Sequence, residues 1–189
     1  MPTLTKNELL GVRNSRMFLN EVYFWTDTVH NWKRLFKPDA YKLVLIEYLQ
    51  KLVRTRMAVI YGYVIMPNHL HLIWELLAKN GKEMPHASFN KHTSHELVKE
   101  LRLHHPQVLT YFVVEEAERQ HRIWQRDPLA IRMDSRAKVE QKLTYIHLNP
   151  LHERWNLAEQ PENYRWSSAR FYETGEDEFG LLTHYRDRF

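Results

Sequence analysis

The stretch that most constrains this chain runs from Tyr61 to Glu75 and reads YGYVIMPNHLHLIWE. It predicts two strands joined by a tight turn. The first strand, Ala58 to Met66, is rich in aromatic and β-branched residues, which suit a pleated, half-buried surface. Pro67 presets φ for the first corner of a β-turn, and Asn68 tolerates the left-handed conformation that a type II turn needs next. In the second strand, His69 to Trp74, residues two apart share a face. His69 and His71 therefore point one way, and Leu70, Leu72 and Trp74 the other. The apolar set calls for a cover of helices. The imidazoles converge on the opposite face, close enough to share one metal ion. Taken alone, the pair reads as two polar residues on a solvated strand face, because the chain has 12 histidines and most must be ordinary. Imidazole is nevertheless the commonest metal-ligating side chain, and a second element downstream can complete a site.

At 189 residues the chain is expected to form one domain, long enough to bury a substantial core. A hydrophobic share of 43% and a charged share of 26% describe an ordinary globular protein rather than a disordered or fibrous one. The formal charge is +4, with 6 Trp and 10 Tyr. Cations for phosphates and aromatic rings for unpaired bases are what a single-stranded nucleic-acid surface needs. There is no cysteine, which excludes disulfides, thiolate zinc sites and cysteine nucleophiles. No apolar run reaches the length of a membrane span, and Met1 to Leu10 lacks a signal peptide's apolar segment. A cytoplasmic protein with no membrane partner is expected.

Met1 to Leu19 is polar and mixed, an irregular arm or a short helix in which Arg13 and Arg16 can reach a phosphate. Glu21 to Val29 reads as the first strand. Pro38 and Asp39 open a helix running to Arg56, with Leu43, Ile46, Leu49, Leu52 and Val53 as its apolar stripe. After the strand pair and a loop over Gly81 to Pro85, a second helix spans Ala87 to Leu103. A short helix is expected over Val108 to Arg119. Ile123 to Gln125 and Leu129 to Arg132 read as extended pieces, one of them the fourth strand. Ser135 is a good N-cap for the next helix, whose buried face is Val139, Leu143 and Ile146. Tyr145 and Asn149 stack on one side of it, with Lys142 one turn back, and Pro150 should end it at Asn149. Glu162 to Arg170 reads as a capped short helix. The order is strand, helix, strand, strand, helix, strand, helix. It predicts an α+β, ferredoxin-like split βαβ fold, with an antiparallel sheet of four to five strands and helices packed on one face.

Three blocks, GYVIMPNHLHLIWE, QKLTYIHLNP and ENYRWSSAR, now stand in order. Together they resemble the single-tyrosine transposases of the HUH endonuclease class, in particular the REP-associated tyrosine transposases, over roughly Tyr23 to Tyr172. The resemblance implies a metal-binding pair at His69 and His71, a nucleophile at Tyr145, and a polar residue at Asn149 that completes the metal site. It also implies Mg²⁺ or Mn²⁺, cleavage of single-stranded DNA near a hairpin, and a 5′-phosphotyrosine intermediate that permits strand transfer. On this reading residues 1–189 form one HUH-type domain, with an arm over 1–19, a catalytic core over 20–150 and an extension over 151–189. Leu148 stands where the family often has a polar residue, and Arg165 where it often has proline. Both positions bear on DNA recognition, for which Arg13, Arg16, Lys91, Arg102, Trp124, Arg126, Lys142, Trp155, Arg165, Trp166 and Arg170 are candidates.

The chemistry is consistent in its own terms. Two imidazoles and an amide oxygen leave positions on a divalent ion for phosphate oxygen, so the ion can act as a Lewis acid. The absence of thiolates and the presence of phosphate favour Mg²⁺ or Mn²⁺, and imidazole nitrogen tilts the choice to Mn²⁺. A phenol must lose its proton on attack, and Lys142, a metal-bound hydroxide and bulk water all stay open as the base. Two rivals are a catalytically silent hairpin-binding protein and a hydrolase with no role for Tyr145. The DNA target, and a monomeric or homodimeric state, are not legible in the residues.

Overall fold

The computed structural model describes residues 16–116 and 119–189. In chain order the elements are β1 (Val22–Thr28), α1 (Asp39–Arg54), β2 (Ala58–Met66), β3 (His69–Leu76), α2 (Pro85–His104), α3 (Pro106–Leu109), β4 (Val113–Glu116), β5 (Arg119–His121), β6 (Leu129–Arg132), α4 (Arg136–Leu148) and α5 (Ala169–Thr174). Four strands make one antiparallel sheet in the order β2-β3-β1-β6. This is the split βαβ arrangement, with β3 in an interior position. It was Leu129–Arg132, not Ile123 to Gln125, that supplied the fourth strand, and Trp124 makes only an isolated bridge to Val29.

The alternation of β3 sorts the layers as the sequence requires. Trp74 stacks on Trp25 of β1 at 5.0 Å, and Phe89 of α2 meets Trp25 edge-on at 5.7 Å. Tyr48 of α1 reaches Phe89 at 6.1 Å, so α1 and α2 lie together over this face. Of the expected stripe of α1, Ile46, Leu49 and Leu52 are buried and Val53 packs against the core, whereas Leu43 is exposed and Leu45 is buried in its stead. The opposite face is not solvated along β3, since all eight of its side chains are buried. There α4 lies against the sheet through Val139, Leu143 and Ile146. Gly62 permits this approach, because a Cβ there would stand 2.5 Å from Leu143 Cδ2.

Several local expectations give way. Asn68 does not adopt the left-handed conformation, so the two-residue turn between Met66 and His69 is not the expected type II. Its side chain is engaged elsewhere, as described below. The helix expected over residues 108–119 is instead the one-turn α3 followed by the β4–β5 hairpin, where Val113 and Val114 favour extension over the helical pattern of the charges. Glu162 to Arg170 is not one helix. A 3-10 turn at Pro161–Asn163 leads into a turn segment, bridged at Ser167 to Val64, that seals the free edge of β2: Ile65 N–H donates to Trp166 O at 2.8 Å, and Ser168 N–H to Tyr63 O at 2.9 Å. Edge strands need such covers, and paired backbone groups outrank local helix preference here. No helix among the described residues is long and apolar enough to cross a membrane.

Candidate active site

On the α4 side of β3, register places His71 opposite Thr26 of β1, and His69 opposite Thr28. Each imidazole has its Nδ1 engaged by a neighbour: His71 by Thr26 Oγ1 at 2.7 Å, and His69 by Asn68 Oδ1 at 2.7 Å. An amide oxygen can only accept, so His69 carries its proton on Nδ1 and offers a lone pair at Nε2. His71 Nε2 is buried with no hydrogen-bond partner. The two rings lie 4.8 Å apart between centroids. Burial holds His69 down to about 4, with the Arg154 charge adding to it. Burial also holds His71 well below the usual imidazole value, helped by His69 and Lys142. Both rings are therefore neutral at pH 7, the form in which imidazole ligates metal.

A carboxamide approaches the pair from the residue that follows α4. Asn149 is buried, and its Nδ2 lies 3.4 Å from His69 Nε2. Turned over about its terminal bond, the same carboxamide presents an oxygen to that point. The α-helix ends at Leu148, one residue before the expected Asn149, and against the expected effect of Pro150, Asn149 keeps right-handed helical geometry (φ −55°, ψ −43°) and enters a 3-10 turn over Asn149–Leu151. That continuity keeps Asn149 one turn beyond Tyr145. Among the described residues no group of three or more His, Cys, Asp or Glu could hold a metal ion, and the groups that converge here are two imidazoles and one carboxamide. Engaged Nδ1 atoms, a buried and unpartnered His71 Nε2 and a neighbouring amide suit a divalent ion.

Tyr145 sits at the His71 end of the pair, 45% exposed. Its ring meets His71 edge-on at 5.4 Å and Phe24 at 6.1 Å. Lys142 Nζ lies over both aromatic rings, 4.7 Å from the Phe24 centroid and 5.5 Å from that of Tyr145. Ser135 occupies the N-cap position of α4 without a side-chain capping bond. The helix is tied down by His147, whose Nε2 lies 2.9 Å from Ser168 Oγ on the β2 edge cover.

The wider list of DNA-contact candidates divides sharply. Arg13 lies outside the described residues. Trp124 and Trp166 are core residues and offer no face to a base: Trp124 packs on Phe36 and donates to Thr93 Oγ1 at 2.9 Å, while Trp166 stacks on Phe179. Lys91 and Arg102 belong to α2, across the sheet from the imidazoles, and Lys91 is paired with Glu83. Arg126 is paired with Glu116, Arg165 with Glu178, and Arg170 with Glu176. Arg16 is exposed and lies over Phe18. Lys142 and Trp155 alone of these border the imidazole pair, the Trp155 ring lying 6.0 Å from His69. Sequence reasoning missed Thr26 and Asn68 as partners of the imidazoles, and Trp32, Arg34 and Arg154 beside them. Only Asn68, adjacent to His69 in the chain, carried a local signal.

No family model matches this sequence, and no curated protein matches it either. Among solved structures, a REP-associated tyrosine transposase bound to a REP hairpin aligns with a TM-score of 0.59, covering 90% of this chain and 91% of that chain at 17% identity. A putative transposase from Deinococcus radiodurans aligns with a TM-score of 0.39, covering 70% of this chain and 94% of that one at 13% identity. In its fold, the chain is built like a REP-associated tyrosine transposase.

Proposed function

We propose that this protein is a metal-dependent, transposase-like endonuclease and strand transferase that cuts single-stranded DNA beside a hairpin, with Tyr145 as nucleophile. The observation that carries the reading is the convergence of a strand and a distant helix on one point. His71 Nε2 is buried and unpartnered, Asn149 approaches His69 Nε2, and an exposed tyrosine stands one helical turn away. The solved REP-associated transposase of the same fold is bound to a REP hairpin, which supports a DNA hairpin as the partner.

His69, His71 and Asn149 would hold Mg²⁺ or Mn²⁺, and the ion would supply Lewis-acid polarisation of the scissile phosphate. The protein's own groups account for the rest. Thr26 and Asn68 fix the imidazoles through Nδ1 so that each Nε2 faces the phosphate site. The Tyr145 oxygen attacks phosphorus. An O–P bond to tyrosine forms as the bond to the leaving 3′ oxygen breaks, the phenol proton departs, and the leaving oxygen takes up a proton as a 3′-OH. Lys142 stands over the tyrosine ring, where its charge stabilises negative charge growing on the phenol oxygen. The covalent ester retains the energy of the cut bond, so a 3′-OH can reverse the step, as strand transfer requires.

The test uses a hairpin oligonucleotide with single-stranded flanks, labelled separately at each end, with Mn²⁺ present. The expected result is a denaturant-resistant adduct that retains the 3′ label while the 5′-labelled fragment leaves free. Cleavage that releases both labels would establish a hydrolase. Hairpin binding without cleavage would establish a silent binding protein.

A further inference from the structure

Between β1 and α1 two consecutive residues, Asn31 and Trp32, take left-handed backbone conformations at φ 55° and 57°. Asparagine tolerates this; for a bulky tryptophan it is an outlier. Core packing does not drive it, because Trp32 is 60% exposed. The turn is closed by its own backbone, Trp32 N–H donating to Val29 O at 2.9 Å, and is also tied to the imidazole pair. Trp32 O accepts a hydrogen bond from Asn68 Nδ2 at 3.2 Å, and Asn68 Oδ1 is the group bound to His69 Nδ1. One carboxamide thus joins the strained turn to the imidazole.

The same end of the site carries charge. Arg34, two residues beyond Trp32, lies over the Trp155 ring at 5.2 Å, and Arg154 lies over that ring at 4.7 Å. Both arginines are exposed, and among the described residues neither is paired with a carboxylate. By contrast Arg165 and Arg170, farther along the chain, are neutralised by Glu178 and Glu176. Trp155 itself stands beside His69. The His69 end is therefore bordered by an exposed indole and two uncompensated guanidinium groups, and the His71 end by Tyr145 and Lys142.

We propose that Trp32, with Arg34 and Arg154, forms a subsite for an unpaired segment of the DNA strand that crosses the imidazole pair from Tyr145. This rests on the nuclease reading above and names where its substrate lies. An unpaired base stacks on the Trp32 face, and flanking phosphates meet the two arginines. A duplex hides its base faces, so the subsite selects single-stranded flanks.

The test is fluorescence anisotropy with Tyr145→Phe protein, so that binding is measured without a covalent step. Two probes are compared, a hairpin with a single-stranded flank and the same hairpin without it. Adding Trp32→Ala is expected to weaken binding of the flanked hairpin about tenfold or more, and to leave the bare hairpin within about twofold. Trp32→Phe, which keeps an aromatic face, should recover most of the loss. Arg34→Ala should weaken flanked binding and reduce its salt dependence. Undiminished flanked binding by both alanine variants overturns the subsite while leaving the nuclease reading standing, as does an equal loss on both probes. A change in oligomeric state on Trp32→Ala without loss of DNA affinity overturns it in favour of a protein contact. Failure of the parent protein to bind either hairpin overturns both readings.

Discussion

Thr26 and Asn68 touch only the Nδ1 side of the imidazoles, yet they decide which nitrogen of each ring is left facing Tyr145 and Asn149. A threonine hydroxyl lost to Thr26→Val leaves side-chain volume and β preference almost unchanged, so the fold should persist. The expected effect is a loss of Mn²⁺ affinity of about 10–100-fold, the usual result of removing a partner behind a metal-bound histidine. Calorimetric titration of Mn²⁺ into wild type and variant checks this, and equal affinities would exclude Thr26 from that role. His71→Ala should lose metal binding and cleavage together, while Asn149→Ala should be milder, because water replaces a neutral oxygen more easily than an imidazole. The histidines were legible in the sequence because strand alternation sorts faces without tertiary information. Thr26 was not, since its position opposite His71 depends on a pairing register between segments 45 residues apart. Asn68 was visible but assigned to the turn backbone, whereas its side chain serves the site.

The helix that carries Tyr145 and Asn149 owes its place to a glycine in the facing strand. Gly62→Ala would bring a methyl group against Leu143 and Ile146 inside a filled interface, which should cost about 1–3 kcal/mol of stability. Because α4 also positions Asn149 against His69, metal affinity should fall with it. Urea unfolding and Mn²⁺ titration measure the two effects, and a variant unchanged in both would show that α4 has room to spare. Periodicity identified α4 well, because Val139, Leu143 and Ile146 face one buried surface. It failed at the tryptophans. Composition suggested stacking platforms at Trp124 and Trp166, but whether an aromatic is core or surface depends on which element lies above it. Phe36 and Phe89 cover the first, and Phe179 the second. The β4–β5 hairpin was missed because its strands are short and charged, and cross-strand pairing rather than local preference defines them.

For the molecule as a whole, the order of strands and helices was enough to anticipate an antiparallel split βαβ sheet, since short connections and one apolar face per strand leave few topologies, while its strand order β2-β3-β1-β6 comes from the structure. The covering of the second face by α4 and the sealing of the β2 edge by residues 164–168 were not legible, because each joins segments far apart in the chain. That dense burial gives stability an unusual dependence on pH. Asp27, beneath α2 with Asn90 and the Thr28 N–H as partners, is pushed up to about 8 by burial. Its native carboxyl keeps a proton that the unfolded chain loses above about 3.8, so stability declines as pH rises toward 8. The decline from this group between pH 6.5 and 8 should be about 2 kcal/mol, and Asp27→Asn should abolish it in urea titrations across that range. On the acid side, His147 is held to about 4 by burial, so the unfolded chain binds protons below 6.5 that the native state refuses, and stability falls as pH drops toward 4. His147→Gln should lessen that acid loss, and an unchanged profile would contradict the assignment. The account as a whole stands on Tyr145 meeting phosphorus at the point where the strand and helix converge. It is tested most directly by incubating wild type and Tyr145→Phe, at equal occupancy by a flanked hairpin and with Mn²⁺, and measuring denaturant-resistant adduct by intact mass. The account predicts an adduct on wild type that maps to the α4 peptide, and none on the variant despite undiminished hairpin binding; an adduct of equal yield on Tyr145→Phe would contradict it.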